Sequence, residues 1–155
     1  NAAVGLCYEG LPWFTGAAAL TITLPHGHST ALALLYSLGA FGIMVLNDFK
    51  AIEGDRELGI RTLPVQMGIR RAAIFACVVM ALPQLAVIGL LLFRGDHVYA
   101  AIVGGLLLAQ LARMPALVRE PRKRAPLYNA TGTTCFVLGM MASAIAVGGG
   151  VERFF

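Results

Sequence analysis

The sequence predicts an all-α membrane protein, a polytopic bundle with about five transmembrane helices. Hydrophobic residues make up 58% of the 155 residues, and charged residues make up 13%. Soluble domains have about 45–50% apolar and about 25% charged residues, so this chain has too little polar surface to cover a water-soluble globule. Several apolar stretches are each long enough to cross the hydrocarbon core, which takes about 20 residues in a helix.

Five apolar stretches, separated by short polar connections, predict the membrane-spanning helices in order. We expect them over residues 2–24, 31–47, 69–93, 98–118 and 126–147. Pro25 ends the first helix, and Ser29 or Thr30 can cap the second. The polar segment at residues 48–68 joins the second helix to the third, and residues 1–155 form a single domain around it.

Lys and Arg residues cluster at two of the connections and predict the orientation. One cluster flanks the polar segment and the other surrounds a turn at residues 119–124, whereas the opposite side has only Arg94 and Arg153. Connections rich in Lys and Arg stay in the cytoplasm. We therefore expect an integral, multi-pass protein whose segment 48–68 is cytoplasmic. The odd number of helices puts the amino end inside and the carboxyl end outside.

The net charge of +4 and the three cysteines exclude some classes of function. The basic residues lie between apolar segments rather than along one surface, so we expect no nucleic acid partner. Cys7, Cys77 and Cys135 lie singly in apolar segments, without a CxxC or Cys/His spacing. Neither a disulfide framework nor a zinc site is therefore indicated.

Asp48 and Asp55 are the strongest candidates for a chemical site. If the second helix continues past Asp48, the seven residues between them make about two turns, and both carboxylates lie on one face roughly 10 Å apart along the axis. Carboxylates that face one cavity repel each other unless a cation lies near them. Mg²⁺ suits them because it is usually bound by one or two carboxylates plus substrate phosphates.

Three basic residues of the same segment, Lys50, Arg56 and Arg61, can supply hydrogen-bond donors to a diphosphate. Arg56 can instead pair with Glu53 or Glu57. A simpler interpretation of the whole segment is a solvated loop whose charges only mark topology. Composition alone favours the simpler interpretation, whereas the order of the residues in the motif favours the site.

The acidic segment resembles the second aspartate motif of the UbiA-type intramembrane prenyltransferases, and most resembles their chlorophyll and bacteriochlorophyll synthase branch. The residues that carry the resemblance are Asn47-Asp48-Phe49-Lys50, Glu53-Gly54-Asp55-Arg56, Leu58-Gly59, Leu63-Pro64-Val65 and Gly68. Residues 8–16 are similar to the family's helix that lies two helices before the motif. Residues 128–133 are similar to the beginning of the family's last helix. The resemblance covers essentially the whole chain.

Two features depart from the family pattern. Many members have a further aspartate at the position of Ala51, so the metal site here has two carboxylates. The family also has an earlier acidic motif, near the start of a bundle of about nine helices, and no counterpart occurs here. We therefore expect this chain to be the carboxyl-terminal part of such an enzyme, with more chain upstream of Asn1. Its missing amino-terminal half is an expected partner, and alone the chain should be inactive.

The resemblance implies a transferase that moves a geranylgeranyl or phytyl group from its diphosphate to the propionate of a (bacterio)chlorophyllide. On that basis Asp48 and Asp55 are the catalytic residues and bind Mg²⁺, and Lys50, Arg56 and Arg61 bind the diphosphate. The other expected partner is membrane lipid, in a bacterial inner or photosynthetic membrane.

Four further residues are candidates for a substrate pocket: Glu9, Trp13, Asn47 and Asn129. Glu9 lies in an apolar helix, where a carboxylate either marks a functional site or reaches water near the cytoplasmic end. Trp13 can stack on a macrocycle or simply pack against other helices.

Alternative functions stay open at this point. One is a different UbiA-type transferase, acting on an aromatic quinone precursor or a haem. Another is a membrane transporter with an acidic cation site, and a third is a structural subunit of a pigment complex.

Overall fold

The computed structural model describes residues 2–21 and 27–149, and within them every regular element is helical. The α-helices are α1 (Ala2–Gly5), α2 (Leu11–Thr21), α3 (His28–Asn47), α4 (Ile52–Glu57), α5 (Leu63–Met67), α6 (Ile69–Arg94), α7 (His97–Arg119) and α8 (Pro121–Val147). A π-helical turn (Leu6–Gly10) joins α1 to α2, and a 3₁₀ turn (Asp48–Lys50) follows α3. The prediction of an all-α fold is confirmed.

Four helices in the described part of the chain are long and apolar enough to cross a membrane, namely α3 with its 3₁₀ turn, α6, α7 and α8. The first of the five predicted spans is not among them. It consists of the shorter segments α1, the π-helical turn and α2, and its predicted end at Leu24 lies outside the described residues.

The π-helical turn has a local cause. The Leu11 N–H donates to the Leu6 carbonyl, five residues back, instead of the usual four. Pro12 follows directly, and its ring and missing N–H disturb the preceding turn of an α-helix. The amino-terminal segment is therefore helical without being one uniform helix.

The long helices pack as a bundle in which α3 lies against α6 and α8, and α7 lies against both α6 and α8. Small residues allow the closest approaches. Gly42 of α3 lies against the backbone of Ala76 in α6, and Gly39 leaves room for the Phe136 ring of α8. Because lipid supplies no hydrophobic drive between helices, such close van der Waals contact is a main source of their association.

Tyr36, buried in the middle of α3, contacts two other helices, α2 and α8. Its ring meets Phe136 edge-on at a centroid distance of 5.2 Å and stacks on Trp13 at 6.3 Å. Its hydroxyl lies 2.8 Å from the Ser143 hydroxyl of α8. The aromatic contacts and this buried hydrogen bond hold α3 in one position relative to α8.

The predicted start of α8 was wrong by five residues, and that of α3 by three, since α3 begins at His28. Helix α8 begins at Pro121 rather than at residue 126, so Arg122, Lys123 and Arg124 lie in its first turn and not in a preceding loop. Proline is well tolerated at the first helical position, because the N–H it lacks would have no partner there. This shift matters for the site, since it directs Arg122 toward the acidic segment.

Replacing Gly42 with alanine should destabilise the bundle by about 1–3 kcal/mol, the usual range for overpacking. The added methyl would lie 2.6 Å from the Ala76 carbonyl oxygen and 2.6 Å from the Met80 Cγ. Gly89→Ala is the matched control in α6, because nothing lies within 4 Å of its Cβ position. Thermal unfolding in detergent measures both variants. Equal stability of the two would contradict the close approach of α3 and α6.

Candidate functional site

The acidic segment does not continue α3 as a regular helix. Helix α3 ends at Asn47, Asp48 lies in the 3₁₀ turn, and Ala51 (φ −111°, ψ 5°) separates that turn from α4, which carries Asp55. The condition for placing Asp48 and Asp55 on one face of a continuous helix is therefore not met. The two aspartates come from two consecutive elements, and any shared site depends on how the chain turns between them.

Two apolar side chains anchor this turn in the core. Phe49 is 7% exposed and Ile52 is 0% exposed, and both belong to the main hydrophobic cluster of the bundle. Burying a side chain of this size contributes about 1.5–3 kcal/mol. Asp48 and Asp55, one residue before and three residues after these anchors, are only half-buried. The carboxylates therefore lie at the rim of the bundle, on a backbone tied to its interior.

A helix-ending motif turns the chain back after α4. Gly59 has a left-handed backbone (φ +70°), its N–H donates to the Arg56 carbonyl, and the Ile60 N–H donates to the Asp55 carbonyl at 2.7 Å. This pairing is the Schellman motif, for which glycine is the favoured residue. The turn brings the Thr62 hydroxyl to the Asp55 Oδ2, to which it donates at 3.1 Å. Asp55 is thus oriented by the chain that follows it.

The basic residues of the segment are exposed at the same rim. Lys50, Arg56 and Arg61 all have exposed side chains, as binding of a large anion requires. Arg56 is not the partner of Glu53, because Arg122 of α8 forms that ion pair at 2.7 Å. Both partners of this pair are more than half exposed, so it contributes at most about 1 kcal/mol. It does link α4 to the start of α8.

Asn47 and Asn129, both predicted for a substrate pocket, lie together. The Asn129 Nδ2 donates to the Asn47 Oδ1 at 2.7 Å, across 82 residues of sequence. Thr133, one turn further along α8, donates its hydroxyl to the Asn129 Oδ1 at 3.1 Å. This chain of hydrogen bonds ends at the residue directly before Asp48.

Trp13 and Glu9 lie away from this group. The Trp13 Nε1 donates to the Ser29 hydroxyl at 3.0 Å, at the opposite end of α3. Ser29 and Asn47 are separated by 18 positions of that helix, roughly 27 Å along its axis. Glu9, half-buried in the π-helical turn, adjoins Gly10, which packs against Ser37 near the middle of α3. The structure therefore does not place Trp13 in a pocket with Asn47 and Asn129.

The donor set at the rim fits a magnesium ion that also binds phosphate. Within the described residues, no group of three or more His, Cys, Asp or Glu side chains could hold a metal by itself. Mg²⁺ often takes only one or two carboxylates, with phosphate oxygens and water completing its coordination. Asp48 and Asp55 match that incomplete set, and the exposed cations nearby match the charge of a phosphate.

Sequence reasoning missed two supporting residues, Thr62 and Thr133. Each donates a hydrogen bond to a candidate residue from four or more positions away. Thr133 could have been found from its spacing, because residues four apart on a helix are neighbours. Thr62 carries no such signal, since its approach to Asp55 depends on the turn at Gly59.

The similarity of this chain to known proteins extends over most of its length. A model of the UbiA prenyltransferase family matches residues 1–136. The bacteriochlorophyll synthase 33 kDa chain of Cereibacter sphaeroides is 54% identical over 146 residues, which cover 94% of this chain and 48% of that protein. The 34 kDa chain of bacteriochlorophyll synthase from Chloroflexus aurantiacus is 46% identical over 147 residues, with 95% and 47% covered.

A plant relative is more distant. The chloroplastic chlorophyll synthase of Oryza sativa subsp. japonica is 36% identical over 147 residues, which cover 94% of this chain and 39% of the relative. The chain thus spans about half the length, or less, of the curated relatives it matches. No solved structure matches it.

Shortening the Ile52 anchor should loosen the acidic segment. Ile52→Ala removes a fully buried side chain and should lower the free energy of unfolding by about 2–5 kcal/mol. Amide hydrogen exchange across residues 48–62 should rise more than exchange in α6 and α7. Leu58→Ala, at a side chain that is 77% exposed, is the control and should change neither quantity. Unchanged exchange in Ile52→Ala would show that the turn does not depend on this anchor.

Proposed function

The chain belongs to the UbiA prenyltransferase family, and we propose that it forms the acidic-motif part of a (bacterio)chlorophyll synthase. Such an enzyme transfers a geranylgeranyl or phytyl group from its diphosphate to the propionate of a (bacterio)chlorophyllide. One observation carries the proposal: two half-buried aspartates lie on a core-anchored turn at the end of a membrane-spanning helix. A diphosphate head group with an apolar tail needs this combination of charged rim and lipid-embedded wall.

The carboxylates that would bind a metal ion are those of the aspartate pair. Asp48 and Asp55 would hold Mg²⁺ together with oxygens of the diphosphate. When bound, the ion supplies positive charge that offsets the negative charge of the departing diphosphate. Thr62 donates to the Oδ2 of Asp55, so the Oδ1 of Asp55 would be the oxygen that binds the ion.

The protein's own cations act on the leaving group. In the transfer, the bond between the allylic carbon and the diphosphate oxygen breaks, and a bond forms between that carbon and a propionate oxygen of the acceptor. Lys50, Arg56 and Arg61, exposed at the rim, would donate charge-assisted hydrogen bonds to the diphosphate as its charge increases. The attacking carboxylate belongs to the substrate, so no protein nucleophile is needed.

The helices would hold the apolar parts of both substrates. Their outward faces carry many exposed apolar side chains, including Leu34 and Leu38 of α3 and Leu138 and Met141 of α8. Such a surface accepts an isoprenoid tail and keeps water away from an allylic cation.

The charge distribution supports an orientation with the acidic segment in the cytoplasm. Lys and Arg are concentrated around residues 50–71 and 113–124, at one end of the bundle, and Arg94 lies near the other end. By the positive-inside rule the richer end is cytoplasmic. We place the protein in a bacterial inner or photosynthetic membrane, where the pigment acceptor is made.

Removing the aspartate charges should abolish transfer. In membranes that contain the full-length protein, Asp48→Asn and Asp55→Asn should each lower geranylgeranyl transfer to bacteriochlorophyllide by about 100-fold or more, since each removes a ligand that acts on the leaving group. Chromatography of the esterified pigment measures the product.

The control lies in the same short helix as Asp55. Glu57→Gln changes an exposed carboxylate and should keep wild-type transfer. Full transfer by the Asp48→Asn, Asp55→Asn double variant would overturn the catalytic assignment. If the wild-type protein prenylated a quinone precursor or a haem in place of the chlorophyllide, the assignment of the acceptor would be wrong.

A further inference from the structure

We propose that Asn129 is a positioning residue that orients the Asn47 side-chain amide so that its N–H groups bind the prenyl diphosphate. This inference rests on the proposed function and adds to it a neutral donor and the residues that support it. Asn47 would touch the substrate, whereas Asn129 and Thr133 would act only through Asn47.

The hydrogen bonds form a chain with a direction. Thr133 donates to the Asn129 Oδ1 at 3.1 Å, and the Asn129 Nδ2 donates to the Asn47 Oδ1 at 2.7 Å. Because a carboxamide accepts only at its oxygen and donates only at its nitrogen, the Asn129 amide, whose nitrogen faces Asn47, sets the orientation of the Asn47 amide. The bond from Asn129 therefore uses the Oδ1 of Asn47, the acceptor of its amide. The Nδ2 of Asn47, the donor, is not used by this bond.

The donor end of Asn47 is available to a ligand. Asn47 is exposed, and within residues 2–21 and 27–149 its Nδ2 is not used in a hydrogen bond. It directly precedes Asp48, which we propose as a ligand of the metal that carries the diphosphate. An Nδ2 in this position has two N–H groups to offer to phosphate oxygens.

The orientation of the Asn47 amide matters because the groups around it carry negative charge, which disfavours binding of an anion. Asn47 is the last residue of α3, and the carboxyl end of a helix carries partial negative charge. Asp48 and Asp55 add further negative charge. An amide turned the other way would present its oxygen to the diphosphate and add repulsion where a donor is needed. A side chain that fixes the amide is therefore expected to raise affinity for the diphosphate by roughly tenfold.

A purely structural role makes a different prediction. If Asn129 only ties α8 to α3, any polar pair that keeps the tie will serve, and the Thr133 hydroxyl will not matter for binding. Two variants separate these roles without removing the contact. Asn129→Asp keeps a side chain of the same shape but accepts from the Asn47 Nδ2, which reverses the Asn47 amide. Thr133→Val removes the hydroxyl that donates to the Asn129 Oδ1 and leaves the Asn47–Asn129 bond in place.

The test measures binding and catalysis in the full-length protein. The probe is a geranylgeranyl diphosphate analogue with a sulfur bridge, which binds but does not transfer its prenyl group. For Asn129→Asp we expect an analogue Kd and a diphosphate KM raised roughly tenfold or more, and for Thr133→Val raised roughly threefold. The KM for bacteriochlorophyllide and the melting temperature should stay at wild-type values.

Two matched variants serve as controls. Thr133→Ser keeps the hydroxyl and should restore wild-type affinity. Thr134→Val, next in sequence, removes an exposed hydroxyl that donates to the Ala130 carbonyl, and it should bind the analogue as the wild type does.

The outcomes separate this inference from the proposed function. Wild-type Kd values for both Asn129→Asp and Thr133→Val would overturn the positioning role, even with normal pigment esterification. Losses of affinity that parallel losses of melting temperature would also overturn it in favour of a structural tie. If the wild-type protein binds the analogue but esterifies no pigment, the acceptor assignment fails, while the expected pattern of Kd values would still support the positioning role.

Discussion

Burial of Phe49 and Ile52 at the end of α3 is the constraint on which the rest of the site depends. These two side chains are three positions apart, and both reach the hydrophobic core. To bury both side chains, the chain leaves α3 through a 3₁₀ turn and then forms α4. This path places Asp48 and Asp55 at the rim of the bundle. In lipid, apolar anchors of this kind secure a polar segment that could not itself enter the hydrocarbon region.

The frame that holds this turn is built from close helix contacts. Gly42 lets α3 approach the backbone of α6, and Gly39 admits the Phe136 ring of α8. Tyr36 adds a hydrogen bond to Ser143. Because these contacts fix α8 against α3, two asparagines that are 82 residues apart meet at hydrogen-bonding distance beside the acidic turn. Packing deep in the bundle thus determines polar geometry at its rim.

The helical architecture could be predicted from the sequence because lipid demands long apolar helices. The predicted limits of α6 and α7 agree with the structure to within a residue or so. The family could also be predicted, since the order of residues around Asp48 is specific, and that prediction is confirmed. The interruption of the helix at Ala51 could not be predicted. The spacing of two aspartates does not indicate where the neighbouring apolar residues must be buried. The Asn47–Asn129 pair and the Glu53–Arg122 pair depend on tertiary packing, and no local pattern reveals them.

The metal-binding role proposed for Asp48 and Asp55 makes them joint ligands of one divalent ion and its diphosphate. Titration of the full-length protein with Mn²⁺, followed by electron paramagnetic resonance in the presence of the sulfur-bridged analogue, tests that claim without any turnover. We predict that the wild-type protein binds Mn²⁺ and that Asp48→Asn and Asp55→Asn each weaken binding at least tenfold, about 1.4 kcal/mol. Wild-type Mn²⁺ affinity in both variants would contradict the account.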